Sequence, residues 1–191
     1  MARAMDLALV QTMLELLARW ELERDTDSVP GLSVALTPST VLAADVPNQV
    51  RDLLARHDAR RDRLWLGVPE AALTQDADGA SRAVHAFCDL GVGVALRDFG
   101  AGVSSLEQLR RLPAKTVTFA GRLVDALAGE DDVGTALVTS VLRFARALGR
   151  MTLATGVIAP SDADRLAQLG CDYGAGPAFG PARRGDDAGA S

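Results

Sequence analysis

Side chains able to do chemistry are few and scattered in this chain. An arginine and an aspartate stand side by side at Arg97 and Asp98, directly after the apolar run Val92–Leu96. A guanidinium is a fixed positive charge whose planar donors match carboxylate or phosphate. Arg97 therefore reads as an internal partner of Asp98 or Glu70, with a pair to Asp98 expected, and a contact for an anion is the alternative. His85 and Cys88 lie three apart, the helical spacing of a zinc corner or of a nucleophile with its base. A structural zinc site takes four ligands, and no second pair accompanies these two. No third residue stands ready to orient the histidine. Both read as structural residues. His57, between Arg56 and Asp58, reads as a surface residue, and Glu130, Asp131 and Asp132 read as a solvated loop.

The 191 residues, 48% of them hydrophobic, are enough for one sizeable core and about one domain. A net charge of −5 gives no basic stripe of the kind nucleic acid selects. The arginines at 56, 60, 61 and 63 are interrupted by Asp58 and Asp62. No apolar run reaches the ~18 residues of a membrane span, and the start carries no small-residue cleavage pattern. Cys88 and Cys171 have neither a disulfide framework nor metal spacing. The expectation is a cytoplasmic protein in a reducing setting, without nucleic-acid or membrane partner and without cofactor.

The elements that must position these groups alternate. Leu7, Val10, Leu14 and Leu17, widened by Met13, Leu16 and Trp20, predict a helix over residues 6–22 with one buried face. Strands are predicted at Leu32–Leu36, Leu64–Val68, Val92–Leu96, Val117–Ala120 and Met151–Ala154, with a last strand-like piece from Tyr173. Helices are predicted between them at Val46–His57, Asp78–Leu90, Ser104–Arg111, Thr135–Leu148 and Ser161–Leu169. Gly91, Gly149 and Gly170 follow three of these as C-terminal caps. Arg183–Ser191 reads as a disordered tail. Strand–helix alternation implies parallel βαβ units. Within the third strand Gly93, Ala95 and Arg97 share one face and Val94 and Leu96 the other, which suits a barrel wall covered outside by helices. A doubly wound open sheet is the competing arrangement, although no Gly-rich phosphate loop accompanies it.

Four ordered blocks then narrow the class. Leu96-Arg97-Asp98-Phe99-Gly100-Ala101-Gly102-Val103-Ser104-Ser105-Leu106 resembles the DDFGTGYSSL loop of EAL-domain cyclic-di-GMP phosphodiesterases. Leu109-Arg110-Arg111-Leu112-Pro113 resembles their LRRLP, and Gly170-Cys171-Asp172-Tyr173-Gly174 their GCDYGQG. Ala145-Arg146-Ala147-Leu148-Gly149 resembles the helix end before their AEGVE strand. The resemblance implies an α/β fold: an incomplete TIM-like (βα) barrel of the EAL type with about six strands retained, over residues 5–182. The family domain starts with two further strands, the second bearing Glu-Ala-Leu. Against the ~250 residues of a whole barrel, roughly the first quarter is then missing.

The family reaction uses two divalent metals, which need several carboxylate or carbonyl oxygens converging at the C-terminal ends of the strands. Carried over position by position, the resemblance puts Ala35 where the family has the asparagine of its NLS motif. It puts Gly67 at the first glutamate of LEITE, with Glu70 matching the last. Arg97 falls on the first aspartate of the pair and Asp98 keeps the second. Thr118 and Ala120 replace a lysine and an aspartate, Thr155 and Ile158 the two glutamates of AEGVE, and Ala175 a glutamine. One carboxylate beside a fixed positive charge does not hold a metal pair, so neither metal binding nor catalysis is expected. Gly100 and Gly102 are expected to shape the loop after Asp98 by backbone angles other residues avoid.

The functional expectation is a catalytically inactive EAL-like domain acting as a regulatory protein-interaction module in bacterial signalling. A protein partner or self-association, with a homodimer foremost, would shield the gap left by the missing strands, and cyclic-di-GMP binding is not expected. The alternative is a fragment of a larger cyclic-di-GMP signalling protein that binds or hydrolyses the nucleotide.

Overall fold

The computed structural model describes residues 1–23, 29–100, 106–119, 123–124 and 132–181. Ala120, Gly102, Ser104, Ser105, Glu130, Asp131 and the expected tail at 183–191 lie outside the described residues.

Six strands form one parallel sheet: β1 (Leu32–Ala35), β2 (Leu64–Pro69), β3 (Gly93–Arg97), β4 (Thr116–Phe119), β5 (Met151–Thr155) and β6 (Tyr173–Ala175). Their order in the sheet is their order in the chain, and the sheet curls into a half-barrel. The open doubly wound alternative, in which strand order reverses, is thereby set aside. Among the described residues β1 and β6 each have one hydrogen-bonded neighbour.

The helices are α1 (Ala2–Glu23), α2 (Pro38–Val41), α3 (Val46–Arg56), α4 (Glu70–Gln75), α5 (Ala77–Asp89), α6 (Leu106–Arg111), α7 (Asp132–Ala147) and α8 (Pro160–Leu169). Two of these, α2 and α4, were not expected from periodicity, which one turn or so is too short to display. Pro38 reads in sequence as a strand stop. It is also the first residue of α2, where its missing N–H costs nothing because that donor has no helical partner anyway. Gly91, Gly149 and Gly170 do take positive φ at 85°, 66° and 84° where helices end.

Strand parity decides where the core lies. Val34, Leu66, Val94, Leu96 and Val117 point outward under the helices and are buried. Val10, Leu14, Leu17 and Trp20 of α1 join the same core, one residue every three or four, as the stripe requires. A second, smaller core forms around Phe119, Val138, Leu142, Ala154 and Leu166. Both therefore sit between sheet and helices. The inward face stays partly wet, with Tyr173 58% exposed and Ser33 and Ala35 exposed at the β1 edge. Parallel sheets are ordinarily covered on both faces; the described helices cover this one on its outer face.

Asp6 moors α1 to the sheet. Its carboxylate, 5% exposed, accepts hydrogen bonds from the Thr37 backbone N–H at 2.7 Å, Thr37 Oγ1 at 2.8 Å and Thr40 Oγ1 at 2.6 Å. A buried charge is tolerable only with partners of this kind. At the opposite end of the sheet Asp172 accepts from Thr152 N at 2.8 Å and Thr152 Oγ1 at 2.7 Å, tying the entry of β6 to β5.

Candidate functional site at the strand ends

The C-terminal strand ends gather most of the positions singled out in the sequence. Ala35 pairs with Gly67 in register, Gly67 with Ala95, and Thr155 with Ala175. Leu96 pairs with Val117, so the next step of the ladder sets Arg97 beside Thr118. The chain turns there: Asp98 donates its N–H to Thr118 Oγ1 at 3.4 Å, and Phe99 N–H donates to the Thr118 carbonyl at 3.0 Å. Ile158 lies three residues beyond β5 and is 74% exposed. Ala120 is outside the described residues.

Arg97 is the last residue of β3, and its stem lies across β2. A Cβ built on Gly67 would overlap Arg97 Cδ. Trp65, one inward position earlier on β2, lies in the same manner over Gly93 and comes within 3.1 Å of a Cβ built on Gly31. Large inward side chains are thus folded flat over glycines of adjacent strands.

An ion pair between Arg97 and Asp98 does not form: among the described residues Arg3–Asp45, Arg51–Asp52, Arg60–Asp62 and Glu107 with Arg110 and Arg111 are bridged, and Arg97 is in none of these. The reason is local geometry. Asp98 takes a left-handed φ of 58°, swinging the chain away from the strand face on which Arg97 lies. The sequence placed such angles at Gly100 and Gly102. Gly100 has φ 90°, but the first left-handed residue is the aspartate, a type that tolerates this region better than most.

Glu70 begins α4 and is buried at 2% exposure; a carboxylate suits the first turn of a helix, where N–H groups point outward. His85 Nδ1 meets its own helix at the Ser81 carbonyl, 2.8 Å away, and Cys88 Sγ faces the Pro113 carbonyl at 3.6 Å. Burial pushes the Cys88 and Cys171 thiols above their ordinary value. Among the described residues no group of three or more His, Cys, Asp or Glu side chains could hold a metal ion, and no helix is long and apolar enough to cross a membrane.

The inward face encloses an open cleft of about 510 Å³, running from Trp65 and Met151 to Arg97, Thr118 and Thr155. The sequence pointed to Arg97 and the threonines but not to Trp65, Asp6 or Asp172. Trp65 follows from strand parity once β2 is in register. Asp6 had a visible signal, a lone acid four residues before Val10 on an otherwise apolar stripe.

This architecture of parallel strands in chain order, with polar positions at their C-terminal ends, is that of βα-barrel proteins. The profile of the EAL domain family matches residues 1–182, and the chain belongs to that family. It is 31% identical over 141 residues to the bifunctional diguanylate cyclase/cyclic di-GMP phosphodiesterase MucR of Pseudomonas aeruginosa, covering 74% of this chain and 20% of that protein. It is 31% identical over 164 residues to the uncharacterized protein Mb1392c of Mycobacterium bovis, covering 84% of this chain and 53% of that one. The chain thus spans between a fifth and about half of the length of these relatives. Among solved structures, the PaMucR phosphodiesterase in complex with c-di-GMP superposes with a TM-score of 0.86 at 26% identity, over 96% of this chain and 73% of that one. The EAL domain of Mycobacterium smegmatis DcpA gives 0.87 at 23% identity, over 100% and 84%.

Proposed function

We propose that this chain is a non-catalytic EAL module of bacterial signalling that acts through contact with another protein. The relationship between Arg97 and Gly67 carries the proposal. By resemblance both positions supply metal-binding carboxylates in active relatives; here one has no side chain and the other lays a cationic stem over it. With Ala35, Thr118, Thr155 and Ala175 around them, the described residues at the strand ends offer no set of hard oxygen ligands for a metal pair. The contact role draws support from the sheet edges. The outer sides of β1 and β6 present backbone groups without a strand neighbour among the described residues, and such edges invite pairing with another chain.

The test has two arms. Purified chain with magnesium or manganese is expected to leave cyclic-di-GMP intact, and conversion to linear pGpG overturns the non-catalytic reading. Sedimentation at low micromolar concentration is expected to show a homodimer or, with a partner added, a complex. A compact monomer that captures no partner and melts at high temperature overturns the contact reading.

A second reading is favoured by one observation. The chain covers only a fifth of MucR, and a solved MucR-type phosphodiesterase is a c-di-GMP complex. As part of a larger signalling protein, the module would bind or cleave the nucleotide with help from segments beyond this sequence. Titration of this chain with cyclic-di-GMP, with and without magnesium, separates the two: saturable binding supports the second reading.

A further inference from the structure

We infer that the cleft inside the half-barrel is a binding site for a small organic oxyanion, an apolar body carrying a carboxylate or phosphate head, with the head held by Arg97. The site is separate from any contact made by the sheet edges and uses no metal.

The electrostatics point one way. Of the described side chains that line the cleft, Arg97 is the one that carries charge. Its stem is laid over Gly67, which has no side chain to obstruct it, so Cγ and Cδ rest against the sheet and carry the guanidinium into the cleft lining. It is half-buried and joins no ion pair among the described residues. A partly desolvated cation without a counter-charge gains from a bound anion, and the planar fork of arginine fits the two oxygens of a carboxylate or phosphate.

The remaining lining suits the rest of such a ligand. Thr118, 5% exposed, stands beside Arg97; its hydroxyl accepts from Asp98 N–H and keeps its own hydrogen to donate. Thr155 lies on the neighbouring strand at the same end. Trp65, Met151 and Leu153 give the apolar wall, and Trp65 is fixed flat by Gly93. A volume of about 510 Å³ lies within the ordinary range for small-molecule sites, mostly apolar with few polar anchors. A single cation matches a ligand with a single anionic head. A dinucleotide with two phosphates would leave one unmatched.

The chain reports on its own cleft. It has two tryptophans, and Trp20 is 2% exposed in the core, so ligand-dependent quenching comes from Trp65. Benzoate and phenyl phosphate are titrated into the full chain near neutral pH, with neutral benzamide as the isosteric control, and calorimetry runs alongside. We expect saturable quenching by at least one anion and affinity for benzamide about tenfold weaker or less. Arg97→Met, which keeps a stem over Gly67 but no charge, is expected to lose about tenfold in anion affinity with benzamide binding unchanged. Equal affinity for benzoate and benzamide in the unmodified chain overturns the inference without any variant. So does an Arg97→Met chain that binds the anion as before, or the absence of saturable binding by either anion.

Discussion

Arg97 and Gly67 share one volume: the arginine stem crosses the face of β2 where any side chain on residue 67 would stand. The two positions are therefore one structural unit. Gly67→Ala is expected to destabilise the chain by about 1–2 kcal/mol, the ordinary cost of mild overpacking, with the arginine pushed off the sheet. In an Arg97→Ala background the same substitution should cost much less. Urea unfolding of the four chains measures the coupling; additive effects would show that the two residues do not compete for space.

Restoring one carboxylate should restore nothing. Arg97→Asp recreates an acidic pair beside Asp98, yet a metal pair needs several more oxygens at the same point. We expect no manganese-dependent hydrolysis of cyclic-di-GMP by this variant. Turnover above background would mean that the strand ends hold ligands beyond those recognised by resemblance.

Asp6 is a structural charge. Asp6→Ala strips three donors, on Thr37 and Thr40, of their acceptor and should cost about 2–4 kcal/mol, since each buried group left unpaired loses its water as well. The midpoint of urea unfolding should fall accordingly. A midpoint within error of the unmodified chain would mean that water replaces the carboxylate freely.

The thiols should be sluggish. With both pushed upward by burial, less thiolate is present at mildly alkaline pH than in an unfolded chain, and thiolate is the reactive form. Iodoacetamide is expected to label Cys88 and Cys171 more slowly in the folded chain than in denaturant. A raised folded value also means that this contribution to stability is complete below the ordinary thiol range and fades as pH climbs through the folded value. Equal labelling rates in folded and denatured protein would contradict it.

Glu107 should titrate late. Hydrogen bonds from Arg110 and Arg111 hold its carboxyl at about 2, against an ordinary 4.5. A depressed carboxylate stabilises above its unfolded value and loses that contribution as pH falls through the folded one, here between about 4.5 and about 2. The cluster is on the surface, so salt should screen it. The difference in melting temperature between the unmodified chain and Glu107→Gln is expected to shrink across that window and in high salt. A difference independent of pH would assign the effect to packing.

Much of this fold was legible in the residues, and for a definite reason. Alternation of short apolar runs with period-3.6 stripes is a local signal, so each long strand and helix was found within a few residues of its bounds. The parity of Gly93, Ala95 and Arg97 against Val94 and Leu96 was enough to say which face looks inward. What escaped depends on contacts across the sheet. That Arg97 lies over Gly67 instead of meeting Asp98 is decided by the φ of Asp98 and by a glycine thirty residues away. That Asp6 caps the turn at Thr37 is decided by how α1 crosses β1. Neither has a signature in neighbouring letters. The one-turn helices α2 and α4 are too short to carry a period.

A sheet whose strands follow one another in chain order has a mechanical consequence. Every ladder joins sequence neighbours, and no hydrogen-bonded pair links the first strand to the last. Such a molecule is a stack in one dimension, held by nearest-neighbour interfaces in the manner of repeat proteins. With β6 exposed along its whole length and none of its three residues in either core, it is the strand least anchored by packing. Drawn out by its ends, the chain should peel from the C-terminal side unit by unit in a series of small force peaks, where a closed ring would resist and then give way at once.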